Sequence, residues 1–94
     1  MALEFEWDPK KAAMNFLKHK VSFEEAATVF GDLLGRIITD PRHSSEEERL
    51  VLLGHSESRR LVAVMYVERA QKIRIISARR ATRRERENYE ESTP

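Results

Sequence analysis

The spacing of apolar and polar positions changes along the chain, from strict alternation to helical periodicity and then to longer apolar runs. The segment LEFEW alternates apolar with acidic residues, which predicts a short, half-buried strand. Asp8 and Pro9 then provide an N-cap and a proline at the first helical position, so a helix is predicted from about Pro9 to His19. Its core-facing side is predicted from the helical spacing of four apolar residues: Ala12, Ala13, Phe16 and Leu17.

A second helix is predicted to begin in the segment VSFEEA. Ser22 and Glu25 have the spacing of a capping box, in which each residue satisfies a backbone N–H of the first helical turn. The helix should span about Phe23 to Phe30, after which the periodicity changes.

The second half of the chain has the periodicity of strands. A strand is predicted around Arg36 to Asp40, and after a polar loop come the β-branched, apolar runs RLVLLGH, RLVAVMYVE and KIRIIS. Short polar turns separate these runs, which predicts antiparallel neighbours. Thr82 and Glu85 form a further capping box, which opens a last helix through about Glu90.

The predicted order is β-α-α-β-β-β-β-α, which is typical of an α+β domain. We expect an antiparallel sheet with the helices packed on one face. At 94 residues the chain should form a single domain, residues 1–94, with residues 88–94 as a frayed tail.

Composition narrows the possible functions. The chain has no cysteine, which excludes disulfides and thiolate metal sites, and its three histidines are far apart in sequence. No metal and no cofactor is therefore predicted. The sequence shows no signal peptide, and no segment approaches the roughly 20 apolar residues that span a bilayer. We expect a cytoplasmic protein with no membrane association.

The net charge of +1 conceals a strong segregation of charge along the chain. Glu46, Glu47 and Glu48 form an acidic cluster, whereas residues 72–86 are rich in lysine and arginine and contain one acid, Glu85. Such segregation creates a local positive field on a nearly neutral molecule, and phosphate groups are its natural ligands.

Four segments, taken in order, resemble the BrnT family: FEWDPKKAAMNFLKHKVSFEEAATVF, EEER, RLVLLGHS and RIISARRATRRERENYE. The most specific pieces lie at residues 15–26 and 74–89, and the resemblance covers nearly the whole chain. One departure is Lys20, because many members have glycine after the Lys-His pair, where glycine suits a helix C-terminus.

BrnT proteins are ribonuclease toxins of type II toxin–antitoxin systems with a compact RelE-like fold. The resemblance therefore implies metal-independent cleavage of RNA. It also implies a partner, a small DNA-binding antitoxin of the BrnA type that neutralises the toxin. DNA would be reached only through that complex, which represses its own operon.

Metal-free RNA cleavage uses the 2′-hydroxyl of the substrate as nucleophile. The protein must accept a proton from it, stabilise the charged phosphorus-centred transition state and protonate the leaving oxygen. Arginine suits the second task, whereas histidine, glutamate or lysine can move protons, and the sequence leaves the identity of the acid and the base open. The candidate catalytic residues are Lys18, His19, Arg49 and Arg79. The candidate RNA-binding residues are Arg74, Arg80 and Tyr89.

Each candidate also has a purely structural interpretation. Lys18 and His19 could simply end the first helix, where cations are favoured, and Arg49 could form a surface ion pair with Glu47 or Glu48. Tyr89 could be a core residue of the last helix.

Alternation along KIRIISARR divides the arginines between two faces of the predicted strand. One face should carry Ile73, Ile75, Ser77 and Arg79 and pack on the helices. The other should carry Arg74, Ile76, Ala78 and Arg80 and form an open sheet surface. Arg79 follows the apolar part of the strand, so alternation constrains it least.

Two functions remain open from sequence. The first is an RNA-cleaving toxin. The alternative is a non-catalytic module that binds nucleic acid or protein with the same basic surface, and a third interpretation gives the arginines only structural and solubility roles.

Overall fold

The computed structural model describes residues 3–39, without the side chain of Thr39, and residues 49–91. Its elements follow the predicted order. They are β1 (Glu4–Glu6), α1 (Pro9–His19), α2 (Phe23–Thr28), a short 3-10 helix (Val29–Gly31), β2 (Arg36–Thr39), β3 (Leu50–His55), β4 (Leu61–Arg69), β5 (Lys72–Arg80) and α3 (Arg83–Glu91). The acidic cluster at 46–48 lies outside the described residues, as do the last three positions of the predicted frayed tail, residues 92–94. Residues 88–91 continue α3.

The helices begin where the sequence predicts, because each has a side chain that satisfies its free N–H groups. Asp8 Oδ1 accepts a hydrogen bond from the backbone N–H two residues on, at 2.8 Å, and Ser22 Oγ accepts from the N–H of Glu25 at 3.0 Å. The box at Thr82 and Glu85 is complete in both directions, at 2.9 and 3.1 Å.

The five strands form one sheet in the order β1-β5-β4-β3-β2. Strands β2 to β5 are antiparallel neighbours, but β1 pairs with β5 in parallel, with Glu4 opposite Lys72 and Glu6 opposite Arg74. The prediction of a fully antiparallel sheet is therefore wrong at this edge. No hairpin joins β1 to β5, because the helices and three strands intervene, and a long connection permits parallel pairing.

Helices cover both faces of the sheet, so the prediction that they pack on one face is wrong. On one side α1, α2 and the 3-10 helix enclose a core built around Phe23, Val29 and Val64. On the other side Tyr89 of α3 packs on a second cluster that includes Leu53. The apolar runs of β3 and β4 bury residues on both sides, and both sides therefore need a cover.

The buried side of α1 also differs from the prediction. Ala12 packs on the core, but Ala13, Phe16 and Leu17 are exposed and the buried residue is Asn15. The Asn15 amide donates to the carbonyls of Val21 and Ala78, at 3.0 and 2.8 Å, and accepts from the N–H of Ala78 at 3.1 Å. β1 pairs with β5 only as far as Arg74. At Ala78, beyond that point, the Asn15 amide makes the backbone hydrogen bonds that a neighbouring strand would otherwise make.

Strand β5 contains a bulge at Ile76. Tyr66 pairs with Ile75 and Met65 pairs with Ser77, which leaves Ile76 as an extra residue. A one-residue insertion moves every later side chain to the opposite face of the sheet.

The bulge overturns the predicted faces of the arginines at the end of β5. Ala78 belongs to the core under α1 and α2, rather than to an open surface. Arg80 is in register with Val62 of that same core, whereas Arg79 bonds to Glu85 of α3 on the other side of the sheet. Arg74 and Arg80, predicted to share a face, therefore lie on opposite faces.

No helix in the described ranges 3–39 and 49–91 is long and apolar enough to cross a membrane.

Candidate active site

A groove of about 340 Å³ runs between α1 and the bulged part of β5. Among residues 3–39 and 49–91, its walls carry three basic side chains and no acidic one. The lining residues are Lys11, Met14, Asn15, Lys18, His19, Ile76 and Ser77.

Helical spacing explains why the basic groups of α1 collect in this groove. Lys11, Asn15 and Lys18 are separated by four and three residues, so they lie on one side of the helix, and His19 adjoins them. Asn15 fixes this side of α1 to β5 through its bonds to Ala78. Because α1 contains no Asp or Glu, its charge is uniformly positive.

The end of α1 is fixed at Lys20, the position where the sequence departs from the BrnT pattern. Lys20 adopts the left-handed conformation, with φ 59° and ψ 30°, which costs a non-glycine residue about 1 kcal/mol. Its N–H donates to the carbonyl of Phe16 at 2.9 Å, and its own carbonyl accepts from Arg60 Nη2 at 2.8 Å. These two bonds fix the backbone immediately after Lys18 and His19.

Arg60 is itself held by Glu25. The guanidinium donates from Nε to Glu25 Oε2 at 2.9 Å and from Nη2 to Oε1, and Ser56 and Ser58 each donate to Oε2 at 2.7 Å. The hydrogen bond from Arg60 lowers the pKa of Glu25 to about 2, although burial opposes the shift. A carboxylate of such low basicity is a poor proton acceptor at neutral pH, so this glutamate serves to position other groups.

Arg80 lies on the same side of the sheet as the groove. It follows Ala78, the partner of Asn15, by two residues, and it is exposed. Among residues 3–39 and 49–91, the side chains of Lys18, His19 and Arg80 make no hydrogen bond or ion pair within the protein. The structure thus brings three of the seven predicted site residues to one side with their polar ends available.

Two other candidates, Arg74 and Arg79, are engaged elsewhere. Arg74 Nη1 donates to Glu6 Oε2 of β1 at 2.7 Å. Arg79 donates through both terminal nitrogens to Glu85, at 2.7 and 3.0 Å, which raises the pKa of Arg79 and lowers that of Glu85. In this structure both arginines link secondary-structure elements.

Arg49 lies directly before β3 and is exposed. Strand β4 stands between β3 and β5, so Arg49 is not in the groove. The ion-pair partners suggested by the sequence, Glu47 and Glu48, lie outside the described residues.

Tyr89 has the core position that the sequence allowed as its alternative. It is buried, its hydroxyl donates to Asp32 Oδ2 at 2.7 Å, and its ring meets the His55 ring edge-on at 5.0 Å. Burial, and then the bond to Asp32, raise the pKa of Tyr89 to about 12. Asp32 also accepts from the N–H of His55 at 2.8 Å, so the contact joins α3 to β3.

Sequence reasoning missed Lys11, Asn15 and Arg60. For Lys11 and Asn15 the signal was present, because their spacing to Lys18 places all three on one side of a helix. Arg60 had no local signal, since its partner Glu25 is 35 residues away in the sequence.

Within the part of the chain that the structure describes, no three His, Asp or Glu side chains are grouped as a metal ion would require.

Comparison with known proteins identifies one family. A family model described as "Ribonuclease toxin, BrnT, of type II toxin-antitoxin system" matches residues 7–85. A crystal structure of the Brucella abortus ribonuclease toxin BrnT superimposes with a TM-score of 0.67 at 20% sequence identity, covering 87% of this chain and 100% of that one. No curated protein matches the chain.

Proposed function

Because the chain belongs to the BrnT family of ribonuclease toxins of type II toxin–antitoxin systems, we propose that it is a metal-independent endoribonuclease that binds RNA in the α1 groove. One observation supports the proposal most directly: Lys11, Lys18 and His19 line a groove to which none of the described residues contributes a carboxylate, and Arg80 lies on the same side of the sheet. An anionic backbone is the ligand that such a surface attracts.

In the proposed reaction the 2′-hydroxyl of the substrate attacks the adjacent phosphorus. The bond from phosphorus to the 5′ oxygen breaks, which leaves a 2′,3′-cyclic phosphate and a free 5′-hydroxyl. His19 accepts the proton of the 2′-hydroxyl and then donates a proton to the leaving 5′ oxygen, while Lys18 and Arg80 stabilise the negative charge on the phosphoryl oxygens. Arg49, Arg74, Arg79 and Tyr89 lie outside this groove, and their predicted roles remain predictions.

The proposal extends to the partner and the setting. A small, BrnA-like, DNA-binding antitoxin is the proposed inhibitor, and the toxin would reach DNA only within that complex. We also propose that the fold is RelE-like and that the protein acts on RNA in the cytoplasm. Two helices before the main strands and one after them support the RelE-like assignment.

Cleavage of RNA by the purified chain in excess chelator tests the activity. We expect products that end in a 2′,3′-cyclic or 3′-phosphate. Lys18→Ala and His19→Gln should each lower the cleavage rate at least 100-fold. Lys10→Ala removes a charge from α1 outside the groove and should leave the rate within about twofold.

Circular dichroism and thermal unfolding must first show that the variants fold. RNA that stays intact with the wild-type chain would refute the proposed activity. Full cleavage activity in both Lys18→Ala and His19→Gln would refute the proposed site.

The same observation is also compatible with the non-catalytic alternative, because a basic groove suffices to bind a polyanion. It predicts RNA binding that weakens steeply between low and high salt, with no cleavage products. Binding and product analysis on the same samples therefore separate the two functions.

A further inference from the structure

Helix α1 exposes a row of apolar side chains to solvent, which begins at the edge of the groove. Leu17 is 71% exposed, Met14 is 70% exposed and Phe16 is 50% exposed. Ala13 lies between them and is exposed as well. We call these four residues the outer stripe.

The outer stripe adjoins the proposed RNA groove. Met14 belongs to the stripe and also lines the groove, where Lys18 is one helical turn further along. Helix α1 has 11 residues and is roughly 16 Å long. A partner that covers the stripe along this length therefore also lies over the opening of the groove.

The surroundings of the stripe are basic. Lys10, Lys11, Lys18 and Lys20 are exposed around it, and helix α1 has no acidic residue. An apolar row between lysines matches an amphipathic helix with an apolar side and an acidic margin, a recurrent mode of peptide recognition.

We propose that an acidic amphipathic segment of the antitoxin docks on the outer stripe and neutralises the toxin by closing the mouth of the groove. This inference rests on the proposed function, because it assumes that the groove is the site to be blocked. It adds the surface, the chemistry of the partner and the mode of inhibition.

The test measures affinity for the purified antitoxin that is co-expressed from the same operon, by calorimetry with the wild-type chain and three variants. Leu17→Glu removes an apolar contact and repels acidic groups, whereas Leu17→Lys removes the same apolar contact but adds a positive charge that attracts acidic groups. Leu33→Glu is the matched control, because Leu33 is 99% exposed and lies beyond the 3-10 helix, outside the stripe.

We expect affinity to fall at least tenfold in Leu17→Glu, less in Leu17→Lys and not in Leu33→Glu. We also expect Leu17→Glu to cleave RNA at the wild-type rate while resisting inhibition by the antitoxin. Affinity for the antitoxin is measured independently of RNA cleavage. If the chain does not cleave RNA, the proposed function is refuted, but the affinities of the variants still test the docking surface.

Four results would overturn the inference. Equal affinity in all variants would show that the antitoxin docks elsewhere, and equal loss in the two Leu17 variants would refute an acidic partner. A change only in self-association, seen by sedimentation, would assign the stripe to a second copy of the chain. A change only in RNA cleavage would assign it to the substrate.

Discussion

Replacing Glu25 by glutamine should destabilise the protein in a way that depends on pH. The substitution keeps the shape of the side chain but removes the charge that Arg60 and the two serines contact. The Glu25 side chain is only 16% exposed, so the lost interactions are not readily replaced by water.

The magnitude follows from the pKa of Glu25, which is lowered from its ordinary 4.5 to about 2. At about 1.4 kcal/mol for each tenfold change in acidity, this corresponds to about 3 kcal/mol of stability at pH 7. Solvent that reaches the edge of the pair lowers the expected loss to about 2 kcal/mol.

The sign of the pH dependence is fixed because the pKa is lower in the folded state. The stabilisation from ionised Glu25 is complete above pH 4.5 and disappears as the pH falls towards about 2. The difference between wild type and Glu25→Gln should therefore be largest at pH 7 and fall to about 1 kcal/mol or less at pH 3.

Urea unfolding at pH 7, 5, 4 and 3, followed by the fluorescence of Trp7, measures this difference. Trp7 is a suitable reporter because its ring packs edge-on against Phe23 in the core, with centroids 5.9 Å apart. The matched control is Glu24→Gln, which changes an exposed neighbour on the same helix. A difference that does not vary with pH, or one equal to that of the control, would refute the reasoning.

Three further substitutions test other parts of the structure. In Gly54→Ala the new Cβ would lie 3.0 Å from Asp32 Oδ2 and 3.1 Å from Val29 Cγ1, so urea unfolding should show a loss of about 1–3 kcal/mol. Gly31→Ala should be nearly neutral, because among the described residues no atom beyond its chain neighbours lies within 4 Å of the new Cβ. Lys20→Gly should stabilise the protein by about 0.5–1 kcal/mol in the same assay, because glycine adopts the left-handed conformation without strain; a loss would contradict this. Tyr89→Phe should lower the free energy of unfolding by about 1 kcal/mol at neutral pH, because the hydroxyl loses its bond to Asp32. This difference should disappear as the pH rises from 10 to about 12, because the pKa of Tyr89 is raised in the folded protein and ionisation of Tyr89 therefore destabilises the fold. Unfolding midpoints that differ equally at pH 8 and pH 11.5 would contradict the last prediction.

The order of the elements could be predicted because its signals are local. Asp8, Ser22 and Thr82 each cap the helix that follows within a few residues, and the change from helical to strand periodicity needs no knowledge of the fold. The Lys18-His19 pair could also be located at a helix end for this reason.

The assignment of side chains to faces could not be predicted, because it depends on contacts between distant segments. Asn15 is buried, and Phe16 is exposed, because the amide satisfies the backbone of Ala78, 63 residues away. Neither fact follows from the periodicity of α1. The position of α3 on the second face of the sheet likewise depends on Tyr89 and Asp32, which are far apart in sequence.

The bulge at Ile76 sets how β5 tolerates changes in length. Deleting this one residue would restore regular alternation and exchange the sides of Arg79 and Arg80. Arg79, which bonds to Glu85, would then point towards α1, and Arg80 would lie under α3, although the net charge would be unchanged. Substitutions in β5 act one position at a time, but an insertion or deletion there exchanges the structural and the proposed RNA-binding arginine in a single step.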